Sequence, residues 1–253
     1  MSTDKDRRHT QIGIDRLIRL EWLERTVNYA LSGKSIQEIK ILLQDDLKDS
    51  FQSENTTVRG SIDKTITILM KTWLNAPIQL RPLQNDGIKL ISSIPFEYHI
   101  AVHWGMIMAV YPFWGAVAMN VGRLLKLQGS AGATQVQRRL REQYGERETV
   151  SRRVRYALRS YIDWSVLSET GDKGIYAQEF SLRIDEPGII TWLLEAALYS
   201  QSNSSANLRS LIENPSLFPF HLKPLSADVL TSYSSRLECM RHGLDEDLVM
   251  LRG

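Results

Sequence analysis

The sequence is poor in cysteine: Cys239 is the single one among 253 residues. An internal disulfide is therefore impossible, and a zinc site built from paired C-x-x-C motifs is excluded with it. Cys239 has no matched His or Asp signature around it and reads as an ordinary thiol in a reducing compartment. Phosphate-cradling glycine loops are missing too, since neither G-x-x-x-x-G-K-[ST] nor G-x-G-x-x-G occurs. There is no H-E-x-x-H, and the five histidines (9, 99, 103, 221 and 242) are scattered. His99 and His103 stand four apart and could share a helix face as metal ligands do. No carboxylate follows them at useful spacing, so they read as a helix-end or core pair. The acids of Asp45-Asp46, Asp185-Glu186 and Asp245-Glu246-Asp247 are contiguous and lack the opposed geometry of acid–base catalysis. The expectation is a protein that is not an enzyme and that takes no cofactor and no metal.

A large charge of one sign is also lacking. The net charge is +2, so attraction to a polyanion has to come from local clustering. That clustering is present. Between Gly129 and Ser160 there are eight arginines (138, 139, 141, 147, 152, 153, 155 and 159) against three glutamates (142, 146 and 148). The local excess is larger than that of the whole chain, so the remainder is net acidic. The first residues, MSTDKDRRHT, carry no apolar run of the signal-peptide kind, and the expected compartment is the cytoplasm.

Between Tyr98 and Gly122 there is no Asp, Glu, Lys or Arg, and the stretch is long enough to span a bilayer. Pro112, His103, Asn120 and three glycines argue for a buried pair of helices broken at Tyr111-Pro112. No membrane insertion is expected.

Residues 1–76 read as a helical N-terminal domain. Ile14, Leu17, Ile18, Trp22, Leu23, Val27 and Leu31 recur at helical spacing up to Ser32-Gly33. Ser35 and Glu38 form a capping box ahead of Ile39, Leu42 and Leu43. A third helix after Asn55 buries Val58, Ile62, Ile66, Leu69 and Trp73. Residues 77–97, with three prolines and Asn85-Asp86-Gly87, read as a connector with room for a short hairpin. Residues 98–181 hold the apolar helix pair and a winged-helix-like module, and 182–253 read as a helical C-terminal region in which 226–244 is one helix. The fold class is mainly α: a helical N-terminal domain plus a winged helix-turn-helix-like domain with a small β-hairpin wing.

That module carries the function. Residues 133–144 and 149–167 read as two helices around Gly145-Glu146-Arg147-Glu148, with Thr149 or Glu148 as a cap for the second. At 100° per residue, Arg152, Arg155 and Arg159 fall within about 60° of one another. Val150, Val154, Ala157, Leu158 and Tyr161 fall on the opposite side. Gly171-Asp172-Lys173-Gly174 then marks a hairpin between VLSE and IYAQ. In a helix-turn-helix, Arg138, Arg139, Arg141 and Lys173 contact phosphates of double-stranded DNA, and Arg152, Arg155 and Arg159 enter or edge the major groove. Ser151, Arg152, Arg155 and Tyr156 lie near the N-terminal end of the second helix, where base edges and phosphates are reached, and Arg147 and Arg153 are counted with them as DNA-binding residues. The same design also serves a winged helix that docks on protein, or a plain solvated helix face.

The order of these segments resembles, distantly, the BrxA family of accessory proteins in bacterial BREX anti-phage systems. The similarity covers about residues 12–170 and lies in RLIRLEWLERTVNYALSG, the SIQEIKILL helix, ITILMKTWL, the apolar pair and TVSRRVRYALRSYIDWSVL. The resemblance implies a helical protein with winged-helix-like modules that binds DNA within a defence locus. It transfers to the arginine-rich segment 147–159. The function expected is a non-enzymatic DNA-binding accessory of such a system, with other defence-system proteins as a second class of partner. The alternative is an adaptor that assembles a larger defence or restriction enzyme.

Overall fold

The computed structural model describes residues 4–51, 58–241 and 247–252. The protein is mainly helical, with twelve α-helices and three small sheets among the described residues. Helix α1 (Asp4–Thr10) leads into an irregular stretch and then α2 (Leu20–Leu31), α3 (Ile36–Lys48) and α4 (Val58–Trp73). Helices α5 (Arg81–Ser93), α6 (His99–Val110) and α7 (Pro112–Gln128) follow. Next come β1 (Ala131–Gly132), α8 (Ala133–Tyr144), α9 (Glu148–Asp163), β2 (Leu167–Glu169) and β3 (Ile175–Gln178). The last third is β4 (Leu182–Ile184), α10 (Pro187–Ser200), β5 (Ser205–Asn207) and α11 (Leu208–Ile212). It ends in β6 (Phe220–Leu222), α12 (Ala227–Tyr233), β7 (Leu237–Arg241) and β8 (Asp247–Leu251).

Helix α6 is the axis of the molecule. Every residue from Ile100 to Val110 is buried, which is why this helix is apolar all round. It packs on α10, α5 and α7. Gly105 lets it approach α10 closely, because a Cβ there would lie 2.6 Å from the Trp192 ring. The break expected at Tyr111-Pro112 is present: α6 and α7 meet at 118°. Among the described residues no single helix is long and apolar enough to cross a membrane, and this bent pair passes such a test only jointly. At the ends of α6 and α10, Arg8 donates to the carbonyls of Ala109 and Tyr199, the carbonyl-rich termini where a cation is favoured.

One continuous hydrophobic core runs from Ile14 to Val249, so the four stretches read from the sequence share an interior. The capping box at Ser35 is formed: the Ser35 backbone N–H and hydroxyl donate to Glu38 Oε2 at 2.8 and 2.6 Å. Ile62, Ile66, Leu69 and Trp73 form the buried stripe of α4. Asn55 and the Val58 side chain lie outside the described residues, as do His242, Asp245 and Glu246.

Three expectations need correction. The helix expected from Ile14 to Leu31 starts at Leu20 as α2. Ile14 has a left-handed φ of 51°, and the backbone of Ile18 is held from outside, its N–H by Ser160 Oγ and its carbonyl by Trp164 Nε1. Leu31 is exposed rather than part of the stripe. The connector at 77–97 is instead a 3₁₀ turn (Ile78–Leu80) and helix α5. Pro82 occupies the start of α5, where its missing N–H costs nothing. Gly87 is no turn residue; a Cβ there would meet the Trp192 ring at 2.8 Å. The helix expected over 226–244 stops at Tyr233. Ser234 and Arg236 turn inward to the fully buried Glu195 carboxylate, at 2.9 and 2.6 Å. The chain then continues as β7, paired with β8 in the antiparallel sheet β5-β8-β7.

Candidate nucleic-acid interface

Helix α9 is divided between two environments. Val150, Val154, Ala157, Leu158 and Tyr161 are buried, while Arg152, Arg155 and Arg159 are exposed on the other side. The buried face is fixed by polar bonds as well as by packing. The Tyr161 hydroxyl donates to the Trp114 carbonyl at 2.8 Å, and Ser160 and Trp164 hold Ile18. Beneath it Trp104, Trp114, Tyr161, Trp164 and Phe218 form a cluster of edge-to-face and tilted rings. The arginine face therefore stands on a rigid base.

Helix α8 packs on α9, and the turn between them is Gly145-Glu146-Arg147, with Gly145 at φ 97°. Arg147 occupies the N-cap position in an extended conformation without a side-chain cap. The cap expected from Thr149 or Glu148 is absent because Glu148 already belongs to the helix and accepts from Arg155 at 3.1 Å. Strands β2 and β3 form an antiparallel hairpin, pairing Leu167 with Gln178 and Glu169 with Tyr176. Gly174, at φ 78°, closes the turn, and its carbonyl accepts from the first N–H of α8 at 2.8 Å. Strand β1 completes the sheet β1-β3-β2. Two helices, a short turn and a hairpin thus make one unit. Arg159 lies close enough to Tyr176 for its charge to act on the phenol, which burial pushes up.

The arginines differ in what they meet. Arg138 pairs with Glu142 at 3.8 Å, Arg141 with Glu146 at 3.3 Å and Arg155 with Glu148 at 3.1 Å. Arg139, Arg147, Arg152, Arg159 and Lys173 have no carboxylate partner among the described residues. Two of the residues expected at the interface are turned elsewhere. Ser151 is only 5% exposed, so its hydroxyl belongs to the interior. Arg153 faces Asp15 at 3.4 Å, and burial pushes its guanidinium below the ordinary value. Arg153 lies on the flank of α9 that the irregular N-terminal stretch covers through Asp15 and Ile18, and Ser151 on the opposite flank, beside the buried face. Helical spacing carries no sign of that cover.

The histidine pair has a partner that spacing did not disclose. Glu24 of α2, 75 positions before His99, faces both imidazoles. The indole N–H of Trp73 donates to His103 Nδ1 at 3.1 Å, which leaves the proton on Nε2. That N–H donates to Glu24 Oε2 at 2.8 Å, and His99 Nδ1 lies 3.1 Å from both Glu24 oxygens. With Nε2 protonated, His103 has no lone pair to give a metal there. Full burial holds His103 below its ordinary value despite the carboxylate. Burial works to raise Glu24, but the hydrogen bonds and charges of His103 and His99 outweigh it and hold the carboxyl low. Among the described residues no cluster of three or more His, Cys, Asp or Glu has metal-binding geometry.

No known protein family matches this chain, and neither a curated protein nor a solved structure is significantly similar to it.

Proposed function

We propose that the protein is a non-enzymatic accessory that binds duplex DNA through α8 and α9 as a winged helix-turn-helix, with the β2–β3 hairpin as its wing. The observation that carries this reading is the division of α9. One face is locked into an aromatic core and the other presents Arg152 and Arg159, which have no carboxylate partner among the described residues. A rigid helix with free guanidiniums suits a phosphate backbone, because positioning costs little entropy and each neutralised phosphate releases a counterion. Arg139 on α8, Arg147 in the turn and Lys173 at the hairpin tip extend the surface toward the flanking phosphates. The distant resemblance to BrxA proteins gives the context: an accessory within a bacterial phage-defence system.

A gel shift with random-sequence duplex DNA tests this. The wild type is compared with the triple variant Arg152→Ala/Arg155→Ala/Arg159→Ala, with circular dichroism to verify that both are folded. Loss of the shift in the variant is expected. Equal affinity overturns the assignment of α9, and no shift by the wild type turns the reading toward the docking adaptor.

A further inference from the structure

A second feature lies at the far end of α9. A cleft of about 780 Å³ opens between α2, the turn before α6, the end of α9 and the strand entry at Phe180–Leu182. Its walls are mostly apolar, formed by Leu20, Phe96, Ile100, Trp164, Phe180 and Leu182. Phe96 stands at the rim 74% exposed, its ring 5.2 Å from that of His99. The polar part is the Glu24–His99–His103 cluster. A cavity with apolar walls and a few convergent polar groups is the usual form of a small-molecule site.

The charge of the cleft selects the ligand. Four carboxylates, Glu21, Glu24, Glu97 and Asp163, face two guanidiniums, Arg19 and Arg25. Arg25 is engaged by Asp46 at 3.4 Å, and Arg19 is divided between Glu21 and Asp163 at 3.7 Å each. Among the described residues Glu24 has no Lys or Arg partner: its neighbours are the Asn28 amide and the two imidazoles, one of them fixed as a neutral donor. The Glu24 side chain remains 16% exposed, and Oε1 accepts from Asn28 Nδ2 at 3.3 Å and lies 3.1 Å from His99 Nδ1. A carboxylate has about four acceptor sites, and His103, His99 and Asn28 supply three N–H donors to it, so one site is left.

We propose that this cleft binds a small amphipathic organic cation, with an ammonium or amidinium group on Glu24 and an apolar body along Phe96, Ile100 and Phe180. An exposed phenyl ring beside a carboxylate provides both the cation–π face and the counter-charge such a ligand needs. An anion meets only net negative charge there. The inference does not depend on the arginine stripe.

Calorimetric titration with phenethylamine, phenethyl alcohol and phenylacetate tests it, using the whole protein near neutral pH. The amine should bind at least about ten-fold more tightly than the alcohol, the worth of one charge-assisted hydrogen bond, and phenylacetate weakest. Glu24→Gln should abolish the preference for the amine. Phe96→Ala, at an exposed side chain, should weaken amine and alcohol alike and keeps the test usable if Glu24→Gln fails to fold. Equal binding of amine and alcohol by the wild type, unchanged amine affinity in folded Glu24→Gln or in Phe96→Ala, or no amine binding at all overturns the proposal.

Discussion

Replacing Arg152 and Arg159 by alanine removes the two stripe arginines that have no carboxylate partner among the described residues, and its effect on DNA binding can be worked out in advance. Five cations of the proposed surface lack ion pairs among the described residues: Arg139, Arg147, Arg152, Arg159 and Lys173. With one phosphate neutralised by each, counterion release gives a log–log slope of affinity against salt of about −4.5. The double variant keeps three of them, for a slope of about −2.7. Between 50 and 200 mM salt the wild type should then lose about 500-fold in affinity and the variant about 40-fold. Glu148 supplies the reverse perturbation. It holds Arg155 in an exposed pair at 3.1 Å, so Glu148→Gln frees a cation and should steepen the slope by up to about 0.9. Fluorescence anisotropy of a labelled duplex over a salt series measures all three slopes. The substitutions lie on the exposed face, so the urea midpoint should not move. Parallel lines for wild type and double variant would refute the reasoning, because they would mean that neither arginine meets a phosphate.

Other consequences concern the scaffold. Arg236→Ala leaves the fully buried Glu195 carboxylate with Ser234 alone and should cost about 3–5 kcal/mol in urea denaturation, with the pair variant Glu195→Gln/Arg236→Met recovering most of it. Gly122→Ala places a Cβ 2.0 Å from the Pro215 carbonyl oxygen and should cost about 1–3 kcal/mol by forcing α7 off the turn at 214–218. Stability should fall with acidification. His103 and Glu24 both have folded-state values below their ordinary ones, so the unfolded chain binds the extra protons. The contribution of His103 is complete above about pH 6.5 and lost as pH falls, and that of Glu24 is lost only in the carboxylate range. Thermal melts of His103→Gln between pH 7 and 5 should accordingly be flatter than those of the wild type.

The parts legible in the sequence are those whose causes are local. The stripe of α9 follows from spacing at 100° per residue, the cap of α3 from Ser35 and Glu38, and the bend before Pro112 from a missing N–H and a steric clash. What escaped was set by partners distant in sequence. Gly87 looked like a turn because glycine usually marks one, yet the reason for it is the Trp192 ring across the core. Ile14 and Ile18 mimic helical spacing in a segment whose backbone is held by Ser160 and Trp164. The strands near the C-terminus are only three to five residues long, and the turn that ends α12 before them is set by Glu195 of α10, so no period of two stands out in them. Within the site, Arg152 and Arg155 were readable, whereas the burial of Ser151 and the cover of Asp15 over Arg153 were not. The Glu24 cluster was half visible, as two histidines four apart without the carboxylate that explains them.

The two proposals meet on α9 and limit each other. Asp163 is one turn beyond Arg159, on the same side of the helix, and lines the cleft. The exposed face thus changes sign along its length, from Arg152, Arg155 and Arg159 to Asp163 and the acidic groups around Glu24. From Arg152 to Arg159 the helix rises only about 10 Å, comparable with the width of one major groove. A duplex lying on the arginines and extending past Asp163 would bring phosphates against the net negative charge of the cleft, which is repulsive. On the proposed reading the DNA therefore contacts the N-terminal half of α9, the turn at Arg147 and the hairpin tip. The acidic end fixes the direction in which the helix points along the groove. The same repulsion keeps the backbone out of the cleft, leaving it to a ligand of opposite charge.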